Sequence, residues 1–272
     1  MKLNLSKVEF SKKDLLRKIR VPKILTPQLA HLVGIHLGDG SMVHNKENYD
    51  YWVSYSGNLT EEYGWYMNYL IPLIKKLFNI DCKIQEDRRI KRSMIRIYFR
   101  SKSILTFLNK TIGLPLGSKS GHTFPKTIIK APQKIKINFL RGMADTEFSL
   151  SFKIKGKNAR HEYPTIAYGT SSIPLAKDIN SMLNYLGFDT HARFNFIAYR
   201  YDVPHIANYI TLNGPRSLDL WMKKIGFTSP KHLTKYKIWK KFGFCPTHTT
   251  LKEREAILNG ELDINSFYSK PL

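Results

Sequence analysis

Apolar residues fall at helical spacing first in residues 26–38. Thr26 is a natural N-cap with Pro27 at the first helical position, and Leu29, Leu32, Val33 and Ile35 then run on to Gly38. The period next drops to two, and residues 42–46 and 51–55 read as the strands of a hairpin. Helical spacing returns over 61–78, where Tyr66, Leu70, Leu73, Ile74 and Leu77 share a face. A second hairpin, 82–86 with 93–100, and a helix over 103–112 follow. The same order then repeats: helix 132–145, strands 149–155 and 164–168, helix 172–186, strands 190–198 and 206–212, helix 217–225. Even the endings match, Ile112-Gly113-Leu114-Pro115-Leu116-Gly117-Ser118-Lys119 against Ile225-Gly226-Phe227-Thr228-Ser229-Pro230-Lys231. Helix, two strands, helix, two strands, helix, all twice, predicts an α+β protein built by duplication. The expected organisation is an N-terminal extension (1–25), a first half (26–119), a basic, turn-rich linker (120–134), a second half (135–232) and a C-terminal extension (233–272). In that extension Thr250, with Glu253 three residues on, predicts a capped helix over 250–258.

The two leading helices share more than a pattern. Leu32-Val33-Gly34-Ile35-His36-Leu37-Gly38-Asp39-Gly40-Ser41 returns, degraded, as Leu140-Arg141-Gly142-Met143-Ala144-Asp145-Thr146-Glu147-Phe148-Ser149. Gly34 and Gly38 stand four apart, as do Gly142 and Thr146, so each helix carries a stripe of small residues along which another backbone can approach. Close approach would bring the two helix C-termini together, and with them Asp39 and Glu147. A helix C-terminus is the negative end of the dipole, a poor place for one carboxylate and a worse one for two. A divalent cation would relieve that; Mg2+ takes one or two carboxylates together with water and phosphate oxygens.

Charge supplies the polyanion. The 272 residues carry 44 Lys+Arg against 21 Asp+Glu, a net +23, which opposes compaction unless a partner of opposite sign answers it. No apolar run approaches the ~20 residues of a membrane span, and the start, Met1-Lys2-Leu3-Asn4-Leu5, lacks a signal-peptide stretch, so neither a membrane nor secretion is expected. Two distant cysteines, Cys82 and Cys245, suit a reducing compartment: cytoplasm, with the nucleoid, or an organellar matrix. Cys245-Pro-Thr-His248 is too thin for a structural zinc site, which needs four ligands. The strands themselves look made for a nucleic acid. In Met94–Arg100, Ile95, Ile97 and Phe99 alternate with Arg96, Tyr98 and Arg100, and Arg88, Arg89, Lys91 and Arg92 precede them. In the second half Leu150, Phe152 and Ile154 alternate with Ser151, Lys153 and Lys155, and Ala192, Phe194 and Phe196 with His191, Arg193 and Asn195. A solvated sheet face explains one such strand; several, in both halves of a basic chain, point to strands lying in the DNA major groove, where Arg reads guanine and Asn adenine.

With both motifs and the repeat around them, residues 26–232 resemble the LAGLIDADG homing endonucleases, in their single-chain, two-motif form. The resemblance implies an αββαββα unit in each half, saddle-shaped four-stranded antiparallel sheets on the major groove, and motif helices packed at a pseudo-twofold axis. It implies a monomeric, Mg2+-dependent endonuclease that cuts double-stranded DNA at a long pseudo-palindromic site and leaves short 3′ overhangs, with Mn2+ or Ca2+ able to substitute for binding. Asp39 and Glu147 match the metal-binding acids, and the carbonyls of Gly38 and Thr146 the secondary ligands. Lys119 and Lys231 match the basic residue near each metal site, which stabilises phosphate charge or helps to activate water.

The sequence also departs from that pattern. Leu37 stands where the second motif has Asp145. Phe148 follows the second acid in place of glycine, and a left-handed backbone there would be awkward for Phe. Residues 54–58 and 168–172 lack the Lys or Gln some relatives carry. His36 and His44, which flank Asp39, read as structural histidines. The rival reading is a non-cleaving nucleic-acid binder on the same scaffold, an intron RNA maturase or a transcription regulator. An intein remnant is disfavoured, since no splicing-type Cys or Ser opens the chain and no His-Asn closes it. The cluster Lys231, Lys235, Lys237, Lys240 and Lys241 suggests that the C-terminal extension contacts phosphates.

Overall fold

A computed structural model describes residues 1–45, 47, 50–89, 93–118, 121–155, 160–200 and 202–268, with Arg200 in its backbone only. The chain divides into two compact units, Met1–Glu147 and Phe148–Leu272.

In the first unit a short helix, α1 (Lys12–Leu16), precedes α2 (Pro27–Asp39), which starts where its caps predict: the Thr26 hydroxyl accepts from Leu29 N–H and Pro27 occupies the first turn. Every residue of α2 from Leu29 to Leu37 is buried, as expected of a helix that is apolar all round. The strands β1 (Gly40–Asn45), β2 (Asp50–Asn58), β3 (Lys83–Asp87) and β4 (Met94–Arg100) form an antiparallel sheet in the order β1-β2-β4-β3. Its register sorts the side chains as alternation predicts. Val53 pairs with Phe99 and Tyr55 with Ile97 on the core side, while Ser54 pairs with Tyr98, Trp52 with Arg100 and Ser56 with Arg96 on the other.

The helix expected over 61–78 is continuous but not uniform: α3 (Leu59–Trp65) widens into a π-helical turn, Tyr66–Leu70, and continues as α4 (Ile71–Phe78). Pro72 accounts for this. It cannot donate to the carbonyl four residues back, and its ring would press on that carbonyl, so the wider turn over Tyr66–Leu70 relieves the clash. Then come α5 (Lys102–Thr106), which also runs into a wide turn, Phe107–Ile112; α6 (Lys126–Ile129); and α7 (Gln133–Glu147), the second motif helix.

The second unit repeats the sheet. Strands β5 (Ser149–Ile154), β6 (His161–Thr170), β7 (His191–Arg200) and β8 (Val203–Asn213) take the order β5-β6-β8-β7, with α8 (Ile173–Tyr185) between β6 and β7 and α9 (Pro215–Lys224) after β8. Its core gathers on Trp221, fully buried against Phe148, Phe188 and Phe227. The strands of the second hairpin run longer than their apolar positions indicate, since β7 and β8 extend to solvent-exposed Tyr199 and Val203. Past β8 the hydrophobic pattern missed a helix, α10 (Pro230–Phe242), whose lysine-rich sequence shows little helical periodicity. Backbone anchors hold it instead: Trp239 Nε1 donates to Glu162 O at 2.9 Å and Lys235 Nζ to Leu150 O at 3.2 Å. The capped helix predicted at 250–258 is α11 (Leu251–Asn259), with the reciprocal Thr250–Glu253 capping box in place.

Candidate metal centre and nucleic-acid interface

The glycine stripes do what their spacing predicts. Helices α2 and α7 pack so closely that a Cβ on Gly34 would stand 2.1 Å from Phe139 O, and one on Gly142 2.1 Å from His31 O. The contact is reciprocal, with each glycine admitting the backbone of the other helix. One turn on, a Cβ at Gly38 would meet Thr146 Oγ1 at 2.1 Å and Glu147 Cγ at 2.9 Å. The Glu147 side chain therefore lies against the residue that precedes Asp39. Asp39 and Glu147 are the last residues of their helices; Asp39 is half-buried and Glu147 exposed. Thr146 Oγ1 donates back into its own helix, to the carbonyls of Gly142 and Met143.

Burial, and next the negative charge of Asp39, push the Tyr66 hydroxyl well above the usual phenol range. Among the described residues no three His, Cys, Asp or Glu side chains converge on one point. An enclosed all-protein cage such as structural zinc requires is thus not formed by them. Two carboxylates at the ends of helices that pack on one another would suit a hard cation that completes its shell with water and phosphate oxygens.

The backbone at these helix ends differs from the sequence expectation. Neither Gly40 nor Phe148 is left-handed: Gly40 has φ −77°, and Phe148 is absent from the positive-φ residues. Glycine is needed at position 40 for space, because a Cβ there would fall 2.4 Å from His36 Nδ1. Phe148 is instead a core residue, its ring centroid 5.0 Å from that of Tyr168 and 5.5 Å from that of Trp221. His36 is buried edge-on to Tyr55, and His44 stacks on Tyr51 with ring centroids 4.4 Å apart.

Of the two lysines, Lys231 is half-buried in the first turn of α10, and Lys119 lies outside the described residues, as do Lys91 and Arg92. Arg96, Tyr98 and Arg100 share the open face of the first sheet. Arg96 Nε donates to Ser56 Oγ at 3.2 Å, and Arg100 bonds Asp50 at 2.7 Å while its guanidinium lies 4.7 Å from the Trp52 ring centre. Tyr98 stacks on Trp52 at 4.3 Å. Arg88 and Arg89, just past β3, are exposed and paired with Glu86 and Asp87. The same register puts Trp52, Ser54, Ser56, Lys83 and Gln85 on this face. The period of two in strands already assigns these residues to the open side.

In the second sheet Lys153 and Lys155 are exposed, the latter 4.3 Å from the Tyr163 ring centre. His191 and Arg193 share a face with Thr211 and Tyr209. The alternation predicted for this strand fails at the next step. A β-bulge sets Phe194 and Asn195 opposite Asn208 alone, and Asn195 takes φ 53°. Beyond it the faces exchange. Phe196, expected in the core, packs beside Tyr209 (5.7 Å) and under Arg193 (4.4 Å), adding an aromatic ring to the cationic face. In the C-terminal lysine cluster, Lys235 and Lys241 donate to main-chain carbonyls and Lys240 pairs with Asp219 at 3.3 Å. Cys82 and Cys245 are free thiols, pushed by burial to about 12 and about 11.

No family model matches the chain. Among curated proteins, 217 residues (80% of this chain) are 21% identical to part of the glutamine–fructose-6-phosphate aminotransferase (isomerizing) of Methanocaldococcus jannaschii. The chain spans only 18% of that protein's length. Among solved structures, the I-LtrWI LAGLIDADG homing endonuclease bound to target DNA matches 81% of this chain and 90% of its own, with TM-score 0.51 and 12% identity. Mesophilic variants of the homing endonuclease I-DmoI match 74% of this chain and 96% of their own, with TM-score 0.50 and 14% identity. At such identities the likeness establishes the fold.

Proposed function

Because the chain has the fold of the LAGLIDADG homing endonucleases, we propose that it is a site-specific, metal-dependent endonuclease of double-stranded DNA. The observation that carries this reading is the seam between α2 and α7, where the second acid lies against the residue preceding the first. Asp39 and Glu147 hold divalent metal, assisted by the carbonyls of Gly38 and Thr146. A bound Mg2+ would neutralise the paired carboxylates and polarise the scissile phosphate. Mn2+ or Ca2+ can substitute in binding.

The open sheet faces supply DNA contact. Arg96, Arg100, Arg193 and Lys153 offer bidentate or point charges to bases and phosphates, and Trp52, Tyr98 and Phe196 offer rings. Lys231, with Lys119, stabilises phosphate charge near the reacting bond. The target is a long pseudo-palindrome cut to short 3′ overhangs by a monomer, in the compartment that houses its DNA.

The experiment is selection of cleaved sequences from a randomised duplex pool with Mg2+, repeated with Asp39→Asn and Glu147→Gln. The expected result is a defined site, cut by the wild type and left intact by both variants, which still bind it. Tight binding of a selected site with no cleavage in any divalent metal would overturn the nuclease and favour the non-cleaving binder.

A further inference from the structure

The N-terminal segment is held to the first sheet by a buried carboxylate that the proposed chemistry does not use. Asp14 of α1 is fully buried. It accepts from Ser11 N–H at 3.0 Å, from Ser101 Oγ at 2.8 Å and from Ser103 N–H at 3.0 Å, the last two at the junction of β4 with α5. Arg17 extends the clamp, donating from Nη2 to Asp14 at 3.2 Å and to the Arg100 carbonyl at 2.9 Å. Such a clamp fixes what α1 displays.

What it displays is positive charge beside an open cavity. Strand β3 begins at Lys83, opposite Tyr98, so it ends short of Arg100 on β4. At that end a pocket of about 830 Å³ opens, lined by Lys12, Lys13, Arg17, Lys83, Arg100 and Lys102 against two acids, Asp50 and Asp81. Both acids are already engaged, Asp50 with Arg100 and Asp81 with Lys75 at 2.7 Å each. Arg17 is matched by Asp14 and Lys102 by Glu9. Among the described residues Lys12, Lys13 and Lys83 have no acidic partner. Lys83, Tyr98 and Arg100 belong to the open face of the sheet, so the pocket is continuous with that face.

We propose that this pocket is a phosphate-backbone site, in which Lys12, Lys13 and Lys83 hold phosphodiester groups of duplex DNA at the end of the stretch read by the first sheet. The site adds affinity and register without reading sequence, as backbone contacts do. The proposal rests on the DNA-binding function above, and the test separates the two.

The full-length Lys12→Glu/Lys13→Glu variant and a control of equal charge change, Lys76→Glu/Lys177→Glu on exposed positions of α4 and α8, are titrated with a long mixed-sequence duplex over a range of salt. Each phosphate contact contributes about 0.9 to the slope of log K against log salt. The pocket variant is expected to lose about two from that slope and to bind about tenfold or more weaker at low salt. The control is expected to lose much less. A milder Lys12→Gln/Lys13→Gln pair with wild-type melting behaviour guards against misfolding and should lower the slope in the same sense. Equal slopes in the pocket variants and the control would overturn the pocket while leaving DNA binding intact. No salt-dependent binding by the wild type would overturn the DNA-binding reading itself.

Discussion

His31 of α2 and Asp145 of α7 meet across the motif seam, with Nε2 of the imidazole 3.0 Å from the carboxylate and both side chains buried. A carboxylate can only accept, so Nε2 donates, and Nδ1 is hydrogen-bonded to the Tyr69 hydroxyl at 2.6 Å. Under the motif repeat Asp145 corresponds to Leu37 and His31 to Phe139, so the equivalent pair on the other side of the seam is apolar. Asp145 is thus a tie between the two motif helices.

This asymmetry gives a double-mutant test. His31→Phe removes the donor from a buried carboxylate and should cost about 2–4 kcal/mol. His31→Phe/Asp145→Leu copies the apolar pair and should recover much of that loss, because neither group remains without the other. Urea unfolding of the four proteins measures the coupling. Additive losses would mean the two side chains do not stabilise one another.

Glycines in the seam should be intolerant of a side chain, and Gly64, in open space outside it, tolerant. Gly34→Ala and Gly142→Ala each place a methyl 2.1 Å from a main-chain oxygen that cannot swing aside. The helices must separate, at a cost of about 3 kcal/mol or more. Gly64 in α3 has nothing closer to a new Cβ than Asn68 Nδ2 at 4.0 Å. Gly64→Ala should stabilise by about 0.5–1 kcal/mol, through helix propensity and a less free unfolded chain. Melting curves of the three variants decide, and a destabilised Gly64→Ala would contradict the propensity argument.

Acid should loosen the N-terminal clamp. Burial alone would raise Asp14, but hydrogen bonds from Ser11, Ser103 and Ser101 outweigh it and hold the carboxyl below its ordinary value. The folded state therefore favours the charged form. Its stabilisation is complete above the unfolded carboxyl pKa of about 3.9 and is lost as pH falls through the lower folded value. Glu9, drawn down to about 2 by its hydrogen bonds to Lys102 and Lys110, titrates in the same sense, but its exposure makes it a minor contributor. Asp14→Asn should lower stability at neutral pH and flatten the acid limb of the stability–pH curve. An acid limb identical to the wild type's would show that other carboxyls govern it.

The bulge in β7 depends on one side chain. Asn208 is fully buried; its Oδ1 accepts from Asn195 N–H and its Nδ2 donates to Thr170 O, each at 3.0 Å. Asn208→Ala removes a partner from two main-chain groups and should cost about 2–3 kcal/mol. Asn195→Gly, at a left-handed position, should be neutral within about 1 kcal/mol. If Phe196 contributes to a DNA-binding face, Asn208→Ala should also weaken duplex binding by more than its loss of stability explains. Unchanged binding by the folded variant would separate the bulge from recognition.

Periodicity and caps are local properties, and repetition is read from the sequence directly, so the sequence alone determined the helices and hairpins of the repeated unit and the glycine stripes of its leading helices. The Thr26 and Thr250 caps and the alternation of Met94–Arg100 were legible for the same reason: each depends on residues within a few positions of one another. Helix α10 was not, since lysine-rich turns carry no hydrophobic stripe and its anchors, Glu162 and Leu150, are distant in sequence. The bulge that turns Phe196 outward depends on Asn208 from a neighbouring strand, and the burial of Asp14 on serines nearly ninety residues away. Tertiary structure alone decided which carboxylates are internal ties. Asp14 and Asp145 became internal ties because donors from other elements close around them. Asp39 and Glu147 instead end their helices, Asp39 half-buried and Glu147 exposed, because the seam that joins those helices is filled by backbone at its glycines.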